Sequence, residues 1–244
     1  MPDAIFADLR LAALYDAVND PGGPDHRFYL DLAGDVPLRV LDMGCGTGVL
    51  ATALAARGHL ATGADPAAGM LEVARNRPGA DRVTWVQSDA ATLALEDRFD
   101  LIIMTGHVFQ VFLSDAEIAA CLSNLRAHLA PGGRIAFETR NPAVEEWREW
   151  NAADSVETVA VDGVGEIEVC WDVTGTDGAF VTFDTCYRFP DGEVSATPST
   201  LRFMDRDELD RHLRAAGLRP LEWYGDWDRS PPGETAPEII VVAG

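Results

Sequence analysis

Lysine is absent from the 244 residues of this sequence, and its absence excludes one common kind of ligand loop. A P-loop ends in Gly-Lys-Ser/Thr, because the lysine contacts the bound phosphates. The glycine-rich segment Gly44-Cys-Gly-Thr-Gly48 has no such ending. This loop therefore does not bind its ligand in the P-loop manner.

Positive charge is also scarce, with 19 basic residues against 40 acidic ones and a net charge of −21. An acidic surface repels phosphate backbones, and the sequence has neither an arginine-rich arm nor an aromatic-basic stripe. The Asn/Asp-Pro-Pro-Tyr/Phe motif of enzymes that modify base amines is missing as well. The sequence predicts no nucleic-acid partner, although solubility or a salty habitat would also account for the charge.

Two further absences concern compartment and metal binding. The first residues contain neither a basic segment nor a long apolar run, so we expect no signal peptide, no membrane span and a cytoplasmic location. No pair of cysteines has the Cys-x-x-Cys spacing of a metal site. We expect reduced thiols and no metal at the four cysteines, which are Cys45, Cys121, Cys170 and Cys186.

The most informative segment that is present runs from residue 38 to 49, where a short apolar strand enters a turn with three glycines. Glycine tolerates positive φ and places no Cβ between backbone and ligand, so Gly44, Gly46 and Gly48 predict a ligand-binding loop. Apolar residues at helical spacing follow, so a helix points its amino end at the same space. The dinucleotide fingerprint requires glycine at the sixth position, where this chain has Val49.

Asp42 followed by Gly-x-Gly-x-Gly resembles the first motif of class I S-adenosylmethionine-dependent methyltransferases. Segments at 59–65, 83–90, 99–105 and 129–138 match further strands of that family in the expected order, within residues 36–142. The run at 99–105 is continuously apolar, as in a parallel strand buried on both faces. The resemblance implies an α/β fold, a doubly wound Rossmann-like sheet of seven strands.

The resemblance also implies S-adenosylmethionine as cofactor and S-adenosylhomocysteine as product. Asp65 would bind the ribose hydroxyls, and Asp89 the adenine amine, with the backbone near Ala90 completing the contact. Asp65 could instead cap the next helix, and Asp89 could be an ordinary turn residue. The full set of cofactor residues that the resemblance implies is Tyr15, Asp42, Gly44, Cys45, Gly46, Gly48, Asp65, Pro66, Met70, Asp89, Ala90, Thr105 and Gly106.

The segments outside the core can be placed coarsely. Residues 4–18 read as a helix, and the turn residues from Asp20 to Pro24 separate it from a helix near 27–32. The resemblance implies that this leading segment closes over the cofactor with Tyr15 near its end. A core position for Tyr15 on an amphipathic helix is the alternative. At the other end, Asp205 starts a helix that stops at Gly217, and strands at 220–223 and 238–242 pair antiparallel.

Residues 155–203 interrupt the βα order with four alternating stretches, at roughly 156–161, 166–174, 179–189 and 193–203. The Asp-Gly pairs between them are strong hairpin signals. They predict an antiparallel sheet inserted between the fifth and sixth core strands, as a lid over the active site, a packing element or a dimer contact. The predicted boundaries are 1–35 for a helical cap, 36–150 for the core, 151–204 for the insertion and 205–244 for the end of the core.

Candidate residues for catalysis and substrate binding lie past the strand ends and on the insertion. His107 is the best-placed general base, because imidazole titrates near neutrality, although it could also bind the cofactor or pack on Phe109. Arg140 and Asn141 could orient an acceptor or fasten their loop. The side chains most able to form the acceptor pocket are Trp171, Tyr187, Arg188 and Arg202.

The sequence therefore predicts methyl transfer to nitrogen or oxygen of a small molecule, by a monomer or homodimer. Peptide substrates stay open, because an acidic lid could accept a basic chain. Two other functions also stay open at this point. One is a nicotinamide-dependent oxidoreductase, which Val49 opposes, and the other is a non-catalytic relative that binds the cofactor.

Overall fold

A computed structural model describes residues 9–19, 22–161 and 163–244. The predicted helix start at residues 4–8, the turn residues Asp20 and Pro21, and the turn residue Asp162 lie outside the described residues. Within them, no helix combines the length and the apolar character needed to cross a membrane. The described residues contain six α-helices, which are α1 (Leu9–Val18), α2 (Pro24–Ala33), α3 (Val49–Ala56), α4 (Ala68–Asn76), α5 (Asp115–Ala127) and α6 (Arg206–Ala215).

Eleven strands form two separate sheets in the described part of the chain. The core strands are β1 (Arg39–Met43), β2 (Leu60–Asp65), β3 (Thr84–Gln87), β4 (Phe99–Met104), β5 (Leu129–Arg140), β10 (Pro220–Tyr224) and β11 (Glu238–Ala243). The inserted strands are β6 (Glu157–Val161), β7 (Gly165–Asp177), β8 (Phe180–Arg188) and β9 (Val194–Arg202).

The seven-stranded sheet has the order β10-β11-β5-β4-β1-β2-β3. All its neighbours pair parallel except β11, which pairs antiparallel with both β5 and β10. The order reverses at β1, whose neighbours are β2 and β4. In such a sheet ligands bind outside the carboxyl ends of the strands at the point of reversal, so the fold places the glycine loop after β1 there.

Helices cover both faces of this sheet, which explains the continuous apolar run of β4. Leu101 and Ile103 pack on the side that α2 and α3 cover, and Ile102 and Met104 pack on the side of α5 and α6. Successive side chains of a strand alternate between faces, so a strand with a helix layer on each face must be apolar throughout. The prediction of a doubly wound sheet is confirmed.

The second sheet is antiparallel, in the order β6-β7-β8-β9, and lies between the fifth and sixth core strands in the chain as predicted. Strand β7 continues further than the alternation of polar and apolar residues predicts. The reason is a bulge between Val173 and Gly175, which shifts the pairing with β8, and so the alternation, by one residue. One face of the sheet packs on α1 through a cluster that includes Leu11, Leu14 and Ile167. Helix α1 therefore lies between the insertion and the core.

The residues at the two ends of α6 have largely the capping roles that their types predict. Asp205 caps α6 by accepting the N–H of Glu208 at 2.8 Å. The reciprocal half of a capping box is replaced, because the Glu208 carboxylate accepts from Arg202 instead. Gly217 follows the end of this helix with a φ of 77°.

Candidate active site

The loop between β1 and α3 has left-handed backbone at each of its three glycines, with φ of 78° at Gly44, 51° at Gly46 and 81° at Gly48. Their surroundings differ. A Cβ at Gly44 would lie 2.7 Å from Val108 and one at Gly48 would lie 2.4 Å from Trp85. A Cβ at Gly46 would meet no atom within 4 Å. Two glycines thus allow the loop to pack closely, and Gly46 faces open space.

Two aspartates end the strands beside this loop. Asp65 accepts the N–H of Gly46 at 2.9 Å and that of Ala67 at 2.8 Å. Asp42 is 1 % exposed, and neither of its carboxylate oxygens has a donor in hydrogen-bonding geometry among the described residues. Burial and the charge of Asp65 raise the pKa of Asp42 to about 7, against a small lowering by the backbone amide of Ala51. Among the described residues, Asp42 is therefore compensated only weakly, by the backbone amide of Ala51.

The hydroxyl of Thr105 shows the same feature at the end of the neighbouring strand β4. Thr105 is 9 % exposed, and its Oγ1 is buried without a hydrogen-bond partner among the described residues. A buried polar atom without a partner destabilises the folded state, so three such atoms on two residues at adjacent strand ends indicate a place prepared for a polar ligand.

Helix α1 is fastened over the glycine loop by one ionic cluster. The carboxylate of Asp16 accepts from the Thr47 hydroxyl and pairs with the Arg77 guanidinium. Arg77 also donates through Nε to the Thr47 carbonyl at 2.9 Å. The cluster holds the helix, the loop and the end of α4 together, as expected for a segment that closes over a ligand.

Tyr15 reaches from α1 toward the end of β4. Its ring packs with Met70, and its hydroxyl lies 3.8 Å from the place of a Cβ at Gly106. Burial raises the pKa of Tyr15 to about 12, so its hydroxyl keeps its proton at neutral pH. The predicted neighbours Tyr15, Met70 and Gly106 are therefore brought together.

The predicted adenine-binding residues adopt turn geometry. Asp89 is exposed, and its Oδ1 accepts the N–H groups of Ala91 and Thr92 at 2.9 and 2.8 Å. The carbonyl of Ala90 accepts from the Asn124 amide at 2.9 Å. These bonds are those of the turn-aspartate alternative, and the adenine contact of Asp89 stays a prediction.

Two other predicted residues have packing and backbone roles in this structure. The Cys45 side chain is buried, with its sulfur 3.1 Å from the place of a Cβ at Gly63, and burial raises the pKa of the thiol. The carbonyl of Pro66 accepts from the Gln87 amide at 3.3 Å. All four cysteines are free thiols, as predicted.

His107 is held between two carboxylates from the neighbouring strands β5 and β11. Its backbone N–H donates to Glu138 Oε1 at 2.7 Å, and its ring Nε2 lies 3.0 Å from Glu238 Oε2. The hydroxyl of Tyr29 donates to the other oxygen of Glu138. His107 has a φ of 58°, which is uncommon outside glycine, so these contacts stabilise an otherwise unfavourable backbone conformation.

Burial sets the protonation of these groups. It lowers the pKa of His107 to about 4, so the imidazole is neutral at pH 7. It raises the pKa of Glu138 to about 7 and that of Glu238 to about 8. Burial therefore disfavours the charged form of each partner of the His107–Glu238 pair.

Arg140 lies beside this pair but is already engaged by other groups. Its Nη1 donates to Gln110 Oε1 at 3.1 Å, and its Nε lies 3.4 Å from Glu146 Oε2. The guanidinium carbon lies 5.1 Å from the ring centroid of Trp150. Asn141, the other candidate in this loop, donates to two backbone carbonyls and so has the loop-fastening role.

Comparison with known proteins agrees with this geometry. The model of a family described as a methyltransferase domain matches residues 40–133, which contain the glycine loop and β1 to β4. An inferred methyltransferase of Geobacillus sp. (strain WCH70) is 26% identical over 218 residues, covering 84% of this chain and 83% of that protein. These matches support the identification of the chain as a class I S-adenosylmethionine-dependent methyltransferase.

Two solved structures extend the likeness of this methyltransferase to its whole fold. The CcbJ methyltransferase from Streptomyces caelestis superposes with a TM-score of 0.82 at 22% identity, covering 100% of this chain and 98% of that one. The S-adenosylmethionine-bound amino pentose methyltransferase CalS10 from Micromonospora echinaspora gives 0.68 at 22% identity, covering 94% and 95%. Both cover the inserted sheet as well as the core.

The family assignment confirms the predictions of an enzyme and of S-adenosylmethionine as its cofactor, and it removes the nicotinamide alternative. The site fits that cofactor in two observed respects. Gly46 leaves open space above the loop, and the unpartnered carboxylate of Asp42 suits a ligand with cationic groups.

Two residues of the inserted sheet that were predicted to bind the substrate pack against α1. Tyr187 is 3 % exposed and packs in the cluster with Leu11 and Leu14, and Trp171 packs against the same cluster. Burial and the neighbouring Tyr15 raise the pKa of Tyr187 to about 12. These side chains hold α1 in place, and their contact with an acceptor stays a prediction.

Arg202, the third of these, lies in an ion-pair cluster of the methyltransferase. It donates to Asp115 at 2.8 Å, to Glu208 at 2.6 Å and to the carbonyl of Leu113 at 3.2 Å. Arg188 is exposed. The contacts of Arg202 join the insertion to the starts of α5 and α6, which is a structural role.

We expect Arg202→Leu to lower the free energy of unfolding by about 2 kcal/mol, because it leaves two carboxylates and a carbonyl without their donor. Denaturant unfolding of the variant and of the exposed control Arg188→Leu measures the difference. The acceptor KM should not change. A raised KM at wild-type stability would return Arg202 to the acceptor site.

Sequence reasoning missed the acidic residues beside His107. Glu138 ends the segment Arg-Ile-Ala-Phe-Glu, and Glu238 begins the strand Glu-Ile-Ile-Val-Val-Ala. A carboxylate at the edge of an apolar strand of a buried sheet was the available signal, since buried acids need a partner or a function. Glu146 begins a short 3-10 helix and Trp150 directly follows it, and so short an element offers no comparable signal.

Proposed function

We propose that the methyltransferase transfers a methyl group to an amine nitrogen of a small molecule. The charge around His107 carries this proposal. Three carboxylates oppose the ionisation of Glu238 beside His107, and they belong to Glu146, Asp25 and Asp226. The positive charge of Arg140, which pairs with Glu146, has the opposite effect. Such a site attracts an ammonium and repels a carboxylate or phenolate acceptor.

The cofactor would lie at the carboxyl ends of β1, β2 and β4, where the glycine loop, Asp65 and the end of β4 meet. Asp65 ends β2 in the position from which a βαβ unit binds a ribose. The residues proposed to hold the cofactor are Tyr15, Asp42, Gly44, Cys45, Gly46, Gly48, Asp65, Pro66, Met70, Asp89, Ala90, Thr105 and Gly106.

The name of one relative supports a nitrogen acceptor. CalS10, whose fold this chain shares, is named an amino pentose methyltransferase. An amino sugar would present one ammonium and several hydroxyls, which suits a site with carboxylates and aromatic side chains. The predictions of a monomer or homodimer, of no nucleic-acid partner and of a cytoplasmic location stay predictions.

The chemistry makes modest demands on the protein. The cofactor supplies a methyl group already activated by the positive charge on sulfur. The protein has to bind the acceptor nitrogen in line with that group, exclude water and receive a proton from an ammonium. Tyr15, whose hydroxyl lies 3.8 Å from the place of a Cβ at Gly106, and His107, the next residue after Gly106, would position the acceptor there.

We expect faster methyl transfer to amines than to matched hydroxyl compounds. The measurement uses labelled S-adenosylmethionine with benzylamine and glucosamine, against benzyl alcohol and glucose. The predicted ratio favours the amines by about 100-fold or more, because the carboxylates concentrate the ammonium and accept its proton. Equal or faster transfer to the hydroxyl compounds would contradict the proposal, and so would no transfer to either amine.

A further inference from the structure

The His107–Glu238 pair carries an inference that rests on the proposed amine acceptor and makes its chemistry specific. Glu238 begins β11 opposite Arg140 of β5, at the catalytic edge of the sheet. Its side chain is 9 % exposed, and both its oxygens lie 3.0 to 3.1 Å from Nε2 of His107. The polar partner of this buried carboxylate is the imidazole of His107, which is neutral at pH 7 because burial lowers its pKa.

We infer that Glu238 is the catalytic proton acceptor for the amine substrate, and that His107 is its positioning partner. The ammonium proton moves to a Glu238 oxygen and leaves the nitrogen with a lone pair. That pair forms the bond to the methyl carbon while the carbon–sulfur bond breaks, and sulfur keeps its electrons. The product amine carries the positive charge, and Glu238 returns its proton to water.

His107 is less suited to that role because of its geometry. Its Nε2 is occupied by Glu238, and its backbone is fixed by Glu138 in the left-handed region. The ring orients the Glu238 carboxylate, in the way that a neighbouring group commonly orients a catalytic base. Burial disfavours the charged imidazole and the charged carboxylate alike, so a proton shared by the pair leaves both groups neutral when it lies on Glu238.

The groups that face Glu238 come from five parts of the chain, and they determine its titration. Asp25 on α2, Glu138 on β5, Glu146 after β5 and Asp226 after β10 oppose its ionisation, and Arg140 on β5 favours it, next to the neutral His107. Burial and these acids raise the pKa of Glu238 to about 8. This value lies nearer to that of an alkylammonium, about 10.4 as in lysine, than an ordinary carboxyl pKa does, which favours proton transfer from the amine.

The test compares Glu238→Gln with the wild type, using benzylamine and glucosamine as acceptors. The wild-type kcat/KM should rise with pH as Glu238 ionises near pH 8 and fall as the amine loses its proton. In Glu238→Gln the limb set by Glu238 near pH 8 should be lost, and so should the fall at high pH, because the rate should then rise with the fraction of free amine. We expect kcat at pH 7.5 to fall by about 100-fold, within the range for loss of a general base.

Glu146→Gln is the matched control, since it removes one charge from the same surroundings without touching His107. It should raise KM a few-fold and move the acid limb to somewhat lower pH without abolishing it, because Glu146 opposes the ionisation of Glu238. Binding of S-adenosylhomocysteine, measured by calorimetry, should be the same in all three proteins.

Three results would overturn the inference. The first is an unchanged pH profile in Glu238→Gln, and the second is a kcat within threefold of the wild type. The third is loss of S-adenosylhomocysteine binding together with activity, which would make Glu238 structural. A wild type that methylates neither amine contradicts the proposed function itself, whereas amine transfer with an unchanged variant profile contradicts only the role of Glu238.

Discussion

Replacing Gly46 with valine should weaken S-adenosylmethionine binding by about 100-fold or more, roughly 3 kcal/mol, while the protein still folds. Gly46 is the only one of the three loop glycines whose Cβ would meet no atom within 4 Å. An added side chain there enters the open space above the loop rather than the protein interior. The space is then lost to the cofactor, although the packing of the loop is kept.

Gly79→Val is the control that separates this effect from backbone strain. Gly79 has a φ of 85° and also has no atom within 4 Å of its Cβ position. Both variants place a β-branched residue in left-handed backbone, which costs about 1–2 kcal/mol of stability. Calorimetric titration should show weak binding for Gly46→Val alone. Similar affinity in both variants would mean that the cofactor does not pass over Gly46.

The core was predictable because its strands carry strong and redundant patterns. The run at 99–105 is apolar on both faces, and only a strand covered by helices on both sides permits that. The insertion was predictable for a different reason, since three Asp-Gly turns separate stretches of alternating polarity. Both patterns are local in the chain, and the structure confirms both.

The acceptor side was less predictable because its geometry depends on distant parts of the chain. Arg202 looked free to hold an anion, yet residues 87 and 6 positions away occupy its donors. Glu238 lies 131 positions from His107 and meets it only because β11 inserts next to β5. No sequence pattern within one segment predicts a contact between residues so far apart in the chain. The glycines of the cofactor loop, in contrast, lie within five consecutive residues and form a recognisable motif.

Asp42→Asn should make the cofactor-free protein more stable at pH 8 and leave its stability at pH 4 nearly unchanged. The folded-state pKa of Asp42 is raised to about 7, above the ordinary value of 3.8, so folding disfavours its charged form. The destabilisation is absent below pH 4, grows as the pH rises and is complete above pH 7. A shift of about three units corresponds to at most about 4 kcal/mol at pH 8.

Urea unfolding at the two pH values measures this effect, with the exposed Asp177→Asn as the control for removing one charge. The gain for Asp42→Asn should be present at pH 8 and small at pH 4. Equal changes at both values would show that the carboxylate is not destabilising, and that the amide merely packs better or worse.

The same variant should bind S-adenosylmethionine more weakly, by about 10-fold or more. Both oxygens of Asp42 are buried without a donor in hydrogen-bonding geometry among the described residues. This arrangement destabilises the free protein and is relieved when a ligand supplies positive charge or donors. A neutral amide in its place removes this destabilisation from the ligand-free protein. Ligand binding then relieves less unfavourable free energy, so the affinity falls. Greater stability together with lost affinity in one variant would therefore identify Asp42 as a ligand-binding carboxylate, and unchanged affinity would leave its burial without a functional reason.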